Sequence, residues 1–246
     1  MTPEGLKTLY ETELRYEVGN LGVASEERQG LWHLFSASRR MPPGELREQD
    51  HPGVWLWSDL HLGHAMTISV FGRPYWTPEE MDDALFGAWR RVVDPDDTVV
   101  ILGDVAIGGL SGRRLKRFRA APGRKVLVLG NHEFDGTVTG HVEGFDEVYS
   151  TVYVPGSPEL LLTHVPLRDV PEGCVNVHGH VHKWAPSGTR HINVVVEQTR
   201  YRPRSLTAVR RLAGSLVRGE RVPGRTTAQQ LTHAGRAVAA GGVARG

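Results

Sequence analysis

Eight side chains with oxygen or nitrogen donors form one candidate constellation, and each follows a short apolar stretch of the chain. They are Asp59, His61, Asp104, Asn131, His132, His164, His180 and His182. Carboxylate, amide and imidazole groups suit divalent metals, and two such metals held side by side can cleave a phosphate ester. Because the set holds no thiolate, it favours Mn, Fe, Zn, Co or Ni over a soft metal. The sequence therefore predicts a centre with two divalent metal ions.

Predicted strands place three of these donors at one edge of a sheet. Three apolar segments are typical of buried strands, residues 54–57, 99–102 and 126–129. Asp59, Asp104 and Asn131 follow them in the chain. Ligands of open α/β sheets bind beyond the carboxyl ends of the strands, so we expect these three side chains to meet there.

Glycines precede several of the donors. His180 and His182 are one residue apart, so both reach one site from an extended segment only through a turn. Gly179 is expected to supply the conformational freedom for that turn. The glycines before Asp104 and Asn131 are expected to let the backbone turn tightly in the same way.

The remaining elements predict two sheets with helices outside them. Strand and helix alternate in the first half of the chain, which is typical of parallel βαβ units. A capping box at Thr77–Glu80 predicts a helix from Pro78 to Val92, and Ser111 is expected to cap a short basic helix. Further strands are predicted at residues 148–154, 160–163, 175–177 and 192–196, followed by a closing helix at 205–217.

The chain is expected to divide at about residues 50 and 217. Residues 1–50 predict two helices, one starting at Thr2-Pro3 and one capped by Ser25. We expect this extension to pack onto the main domain, residues 51–217; the alternative is that it docks a partner or a second subunit. Residues 218–246 show little periodicity and are expected to form a mobile basic tail.

Composition excludes several classes of protein. The chain has 246 residues, 39% of them hydrophobic, and a net charge of +1, so bulk charge predicts no partner. Its single cysteine, Cys174, excludes an intramolecular disulfide framework. No apolar run approaches the roughly 18 residues of a membrane span, and the N-terminus lacks the pattern of a secretory signal, so a cytoplasmic protein is expected.

Basic segments leave nucleic acid open as a partner. The predicted helix around Arg113–Arg119 is basic, and residues 200–246 contain ten Arg and one acid, Glu220. A solvated surface is the favoured interpretation of the helix, and contact with nucleic acid is the alternative. The oligomeric state is not predicted.

The ordered motifs resemble those of the calcineurin-like metallophosphoesterase superfamily. The matching motifs are Asp59-x-His61, Gly103-Asp104, Gly130-Asn131-His132-Glu133, His164 and Gly179-His180-Val181-His182. The stretches 58–64 and 193–203 also resemble a small bacterial and phage branch of phosphoesterases. The resemblance implies an α/β fold, a four-layer αββα sandwich with two mixed β-sheets.

The resemblance also implies a role for each residue. Asp59, His61 and His182 would hold one metal, Asn131, His164 and His180 the other, and Asp104 would bridge both. His132 would face the substrate as the general acid, while a water bridging the metals becomes the nucleophile. His64 lies nearby in the chain; it could touch substrate, and a structural role is as well supported.

Two departures from the family pattern concern the substrate. Protein Ser/Thr phosphatases have an Asp and an Arg after the Gly-Asp motif, where this chain has Ile107 and Gly108. A phosphoprotein substrate is therefore disfavoured, and the expected substrate is a phosphodiester or phosphomonoester of a small molecule, nucleotide or oligonucleotide. The alternatives are a nuclease acting on RNA or DNA and a metal-bearing binding module with weak catalysis. Trp76 and Trp184 are predicted on loops and could flank the site.

Overall fold

Parallel strands bring the predicted donors to one sheet edge, as the apolar segments indicate. A computed structural model of the protein describes residues 1–21, 25–133, 142–184 and 188–242. In these ranges the strands are β1 Gly44–Glu45, β2 Val54–Trp57, β3 Thr98–Ile101, β4 Arg124–Val128, β5 Glu147–Tyr149, β6 Val152–Val154, β7 Glu159–Thr163, β8 Cys174–His178, β9 His191–Asn193 and β10 Arg204–Ser205. The helices of seven residues or more are α1 Pro3–Asn20, α2 Glu26–Ser38, α3 Ala65–Phe71, α4 Pro78–Arg90, α5 Gly112–Arg119, α6 Leu206–Val217 and α7 Thr227–Gly242.

The first sheet has the order β10-β2-β3-β4-β5. β2, β3, β4 and β5 run parallel, and β10 pairs antiparallel with β2. The carboxyl ends of β2, β3 and β4 therefore lie side by side, which is the arrangement the site requires.

The second sheet has the order β1-β6-β7-β8-β9. β6 and β7 are antiparallel, whereas the other neighbours are parallel. Both sheets are thus mixed, as predicted.

Alternating apolar residues give each sheet two buried faces. One face of each sheet packs against the other sheet, as Leu56, Val100 and Val126 do with residues of β7 and β8. The opposite faces pack under helices: Trp57 lies with Trp89 of α4 on one side of the molecule, and Leu161 of the second sheet belongs to the same cluster as Leu6 of α1. The predicted fold, two mixed sheets with helices on their outer faces, is confirmed.

Side-chain caps begin four of the helices, whereas Ser111, the predicted cap of α5, lies at the start of that helix without a capping hydrogen bond from its side chain. Thr2, Ser25, Thr77 and Ser205 each accept a hydrogen bond from a backbone N–H in the first turn of the helix that follows. The apolar positions of α1, which include Leu6, Tyr10 and Leu14, are buried, so the first two helices pack onto the sheets.

Three predictions about elements were wrong or incomplete. The segment 148–154 is two strands, because the chain leaves the first sheet after Tyr149 and enters the second at Val152. The strand predicted at 192–196 ends at Asn193, after which Val195 bridges to Ser58 beside β2. The helix α3 was not predicted.

The stretch predicted as a mobile tail contains α7, which contacts α6. Ala228 and Ala234 are buried there, because small side chains let the two helices pack closely. The domain boundaries at residues 50 and 217 stay a prediction, and residues 243–246 lie outside the described ranges. In the described part of the chain, no helix is both long and apolar enough to cross a membrane.

Candidate metal centre

Two groups of buried side chains could each hold a metal ion. The first contains Asp59, His61 and His182, and the second contains Asp104, His164 and His180. Within each group one ligand atom per residue lies no more than 4.8 Å from the others. Six of the predicted donors, from four different segments of the chain, therefore meet in space.

The first group surrounds a point beside Asp59. Asp59 Oδ1 lies 3.6 Å from His182 Nε2 and 4.0 Å from His61 Nε2. Metal–ligand bonds of about 2.0–2.2 Å separate neighbouring ligands by such distances. The three atoms can therefore share one metal.

The amide of Asn131 lies beside two histidines of the second group. Asn131 Oδ1 lies 2.8 Å from His164 Nε2 and 3.0 Å from His180 Nδ1. An amide oxygen close to two imidazole nitrogens is a reasonable ligand set for a second divalent ion.

Asp104 belongs to the second group and also lies close to the first. Its Oδ2 is 3.8 Å from His61 Nε2 and 3.4 Å from His164 Nε2. Burial alone would raise the pKa of this carboxyl, but attraction to His164 and His132 outweighs it and holds the pKa well below its usual range. The group is therefore a carboxylate at neutral pH and is placed where it could serve both metals.

His61 shows that these residues fit metal ions. Both ring nitrogens of this buried histidine lack a hydrogen-bond partner among the described residues. Burial holds the pKa of His61 well below its usual range, so the ring is neutral. A buried polar group without a partner is costly, and a neutral imidazole is the form that binds metals.

The backbone at the site is held in an uncommon conformation. Five of the candidate ligands have positive φ angles: Asp59 (57°), His61 (50°), Asp104 (57°), His180 (66°) and His182 (46°). Such a conformation costs of order 1–3 kcal/mol at a residue other than glycine and clusters at functional sites. Hydrogen bonds between the segments hold it, including Asp59 N–H to Gly103 O and His61 N–H to Asp104 O, both 3.0 Å.

Gly179 serves the site by its size and not by its conformation. It does not adopt a positive φ, in contrast to the expectation, because His180 and His182 make the turn themselves. A Cβ at Gly179 would lie 2.1 Å from Ser58 Oγ and 2.5 Å from Asp59 Oδ2. Only glycine leaves room for the first ligand segment.

Glu133 joins two ligand segments. Its Oε1 accepts a hydrogen bond from Val105 N–H (2.9 Å), and its Oε2 accepts from Asp104 N–H (3.1 Å) and Gly130 N–H (2.6 Å). Burial and the neighbouring Asp104 raise the pKa of Glu133 to about 7.

Arg73 and Glu197 form a second support that the sequence did not predict. Glu197 Oε1 lies 3.3 Å from His182 Nδ1 and accepts a hydrogen bond from Arg73 Nε at 2.8 Å. The buried guanidinium also donates to the carbonyls of Asp59 and Leu60, both at 2.8 Å. A carboxylate on the second nitrogen of a ligating histidine fixes the orientation of the ring. The nearest sequence signal was the 193–203 stretch, which contains Glu197.

His132 lies at the surface of the site. Its side chain is 42% exposed, and its Nε2 is 4.0 Å from Asp104 Oδ2. Its backbone N–H donates to Asp104 Oδ1 at 2.9 Å, which fixes the residue beside both groups. The position where phosphatases carry the orienting acid is Ile107, which is 44% exposed and lines the same cavity as His132.

The other histidines near the motifs lie outside the two groups. The His64 ring centroid is 5.9 Å from that of His61, and His64 is not among the described residues that line the cavity. His178 and His191 are buried, and each has a ring nitrogen 2.9 Å or less from a backbone carbonyl. The other ring nitrogen of each, His178 Nε2 and His191 Nδ1, lacks a hydrogen-bond partner among the described residues, and the structural role of both stays a prediction.

A cavity of about 990 Å³ opens onto the candidate metal centre. Asp104, Asn131, His132, His180 and His182 lie on its floor. The described residues that complete its lining are Glu26, Glu27, Gln29, Gly30, His33, Val70, Phe71, Ile107, Val181 and Trp184. None of these described residues is Lys or Arg, so within the described lining only histidine and any bound metal could offer positive charge to a phosphate.

Comparison with known proteins agrees with this geometry. The family model for calcineurin-like phosphoesterases matches residues 53–234. The Gene 66 proteins of Mycobacterium phages L5 and D29 are each 32% identical to the chain; the matches cover 52% of the chain and 77% and 78% of the phage proteins. The crystal structure of a protein of unknown function from Aquifex aeolicus is 27% identical, with a TM-score of 0.54, over 65% of this chain and 98% of that one.

The family model spans well over half of the chain, and its match includes every segment that contributes to the two groups of candidate ligands. Two mixed sheets with the ligands at the ends of parallel strands agree with that match. The chain belongs to the calcineurin-like phosphoesterase family.

Proposed function

We propose that the protein hydrolyses a phosphate ester, a phosphodiester or a phosphomonoester, with two divalent metal ions and His132 as the general acid. The observation that carries the proposal is the position of Asp104 Oδ2, between His61 Nε2 and His164 Nε2. A carboxylate in this position can hold two metals close together, and such a pair can stabilise both the attacking and the leaving oxygen of an in-line displacement.

The proposed ligand roles follow the two groups. Asp59, His61 and His182 would hold one metal, and Asn131, His164 and His180 the other, with Asp104 shared. Bound metals would supply an acidified water as nucleophile and positive charge beside the phosphoryl oxygens.

His132 would act on the leaving group. Its exposed ring borders the cavity, and its Nε2 lies next to Asp104 without joining either group of ligands. A protonated His132 would therefore donate the Nε2 hydrogen to the leaving alkoxide, an effect typically worth about 10²–10⁴-fold in rate.

Variants at Asp104 and His132 test these roles. The purified chain is stripped with a chelator and reloaded with Mn²⁺, then assayed on bis-p-nitrophenyl phosphate and p-nitrophenyl phosphate. Asp104→Asn is expected to lose nearly all activity and to bind fewer metal ions, measured by elemental analysis. His132→Ala is expected to keep the metal content of the wild type and to lose about 10²–10⁴-fold in kcat.

His51→Ala is the matched control, because His51 pairs with Thr98 Oγ1 and lines a separate small cavity. It should retain both metal and activity. Activity that survives in Asp104→Asn would refute the shared-metal mechanism, and loss of metal from His132→Ala would make His132 a ligand. A wild-type protein inactive with each of Mn, Zn, Fe, Co and Ni would favour the binding module.

A further inference from the structure

We propose that the natural substrate is a nucleotide phosphoester whose base binds in the cavity between α2 and the aromatic side chains of Phe71 and Trp184. The inference rests on the proposed hydrolysis at the metal centre and adds the class of the group attached to the phosphate. It is carried by three features of the cavity: its wall, its aromatic side and its charge.

Helix α2 forms one wall of the cavity. Glu26, Glu27 and Gly30 of this helix line the cavity together with Asn131 and His132. Gly30 packs directly on Asn131, since a Cβ at Gly30 would lie 3.2 Å from the backbone oxygen of Asn131 and 3.5 Å from its Nδ2. A substrate bound at the metals therefore extends alongside α2.

The helical hairpin formed by α1 and α2 is fixed to the segment after His164. Tyr10 OH accepts a hydrogen bond from Val165 N–H at 3.2 Å, and Glu13 Oε2 accepts from Arg168 N–H at 2.9 Å. Tyr10 is fully buried and Glu13 is nearly so. The hairpin thus holds the α2 wall in a fixed position, where it would limit the size of a bound substrate.

Two aromatic side chains, those of Phe71 and Trp184, line the same cavity. The Phe71 ring stacks on His182, with centroids 3.4 Å apart and planes inclined by 11°. Trp184 meets Phe71 edge-on, with centroids 6.3 Å apart and planes at 87°, and it is 59% exposed. An exposed indole beside a reaction centre offers a face on which a planar base can stack, a contact worth about 1–3 kcal/mol per base.

The charge of the cavity favours a single nucleotide over a polynucleotide. Glu26 and Glu27 are exposed carboxylates on the wall, which can accept hydrogen bonds from the N–H groups of a base and would repel further phosphates. The described lining contributes no Lys or Arg to bind a phosphate backbone.

The basic helix α5 does not supply that missing charge. Arg114 pairs with Asp82, Arg117 with Asp83 and Arg119 with Glu143, at 2.7, 2.7 and 2.8 Å. Three of its four arginines are thus paired with acids of the same molecule, which weakens the case for a nuclease.

Paired substrates separate recognition of the base from hydrolysis itself. Thymidine 5′-(p-nitrophenyl phosphate) is compared with methyl p-nitrophenyl phosphate, and adenosine 5′-monophosphate with glycerol 2-phosphate, on the Mn²⁺-loaded full chain. The wild type should prefer the nucleoside member of at least one pair. Trp184→Ala should lower kcat/KM for that member about 5-fold to 100-fold through KM, and leave the simple ester within about 2-fold.

Trp76→Ala is the matched control, because Trp76 is 92% exposed and is absent from the described lining of the cavity. The Trp76→Ala variant should leave kcat/KM unchanged for both members of each substrate pair. Binding without turnover gives a second readout: adenosine 5′-monophosphate should quench the fluorescence of the wild type and of Trp76→Ala, and quench Trp184→Ala much less.

Three results would overturn the inference while the proposed function stands. The first is an equal kcat/KM for both members of each pair. The second is an equal loss of kcat/KM for the nucleoside substrate and the simple ester in Trp184→Ala. The third is a higher kcat/KM for phosphocholine or a short oligonucleotide than for any nucleotide. Failure to hydrolyse even the simple esters, with any metal, would overturn the proposed function and this inference with it.

Discussion

A single buried carboxylate, that of Glu133, accepts three backbone hydrogen bonds from the segments that carry Asp104 and Asn131. Unpaired N–H groups in a buried place cost free energy, so this side chain stabilises the turns after two neighbouring strands. Its role is to position ligands, and it has no place in either candidate metal group.

The variant Glu133→Gln tests this role. One carboxylate oxygen becomes an NH₂ group that faces backbone donors, so the free energy of unfolding should fall by about 1–3 kcal/mol, measured by urea denaturation. Glu143→Gln is the control, because Glu143 is an exposed partner of Arg119 and should contribute less than about 1 kcal/mol. A Glu133→Gln protein as stable as the wild type would show that these hydrogen bonds do not support the site.

The order of the motifs along the chain predicted which candidate ligands lie close together, because each ligand follows a strand or turn that can be recognised from the residues next to it. The pair Arg73–Glu197 could not be predicted in this way, since the two residues are 124 positions apart. Their contact depends on the return of the chain from β9 to the end of β2, which the periodicity of either segment does not encode.

At the level of elements, α2 lines the cavity at the candidate metal centre, and α1, which packs against α2, is attached to the segment after His164. Their starts at Thr2 and Ser25 follow from local capping, and the sequence predicted both. The residues that these two helices pack against could not be predicted, because Tyr10 contacts Val165 and Gly30 contacts Asn131 only in the folded chain. The same limit applies to residues 148–154, whose continuous β pattern hides a crossing between two sheets.

Removal of one hydroxyl tests the attachment of α1. Tyr10→Phe leaves Val165 N–H without its acceptor and keeps the buried ring, so the free energy of unfolding should fall by about 1–3 kcal/mol. Urea denaturation followed by circular dichroism measures the change. Tyr16→Phe, at a 46% exposed position on the same helix, should stay within about 0.5 kcal/mol. Equal effects from the two variants would contradict a specific role for Tyr10.

For the whole molecule, the distribution of charge matters more than its sum. A net charge of +1 is the sum of two unlike regions: an acidic wall at the cavity, and a basic helix in which three of the four arginines are paired with acids. The sequence predicted the basic helix but not the acids opposite it, because α4 and α5 meet only in the folded chain.

Salt dependence distinguishes the two enzyme hypotheses. Raising NaCl from about 50 mM to about 200 mM should change kcat/KM for a mononucleotide less than about 5-fold, since the described cavity lining offers no Lys or Arg to a phosphate. A nuclease that neutralises several phosphates would lose about 10³-fold or more over that range. A loss of that size, measured on oligonucleotides by steady-state kinetics, would support the nuclease.

The left-handed backbone at five candidate ligands sets stability against activity. The metal-free fold holds His61 at a φ of 50° with two buried nitrogens that lack partners, and this strain costs of order 1–3 kcal/mol at the residue. Selection for heat resistance alone would favour changes that relieve this cost without regard to the metal centre. Thermostable descendants of this chain that keep their chemistry would have to be selected with metal bound, when the same histidine contributes to both properties.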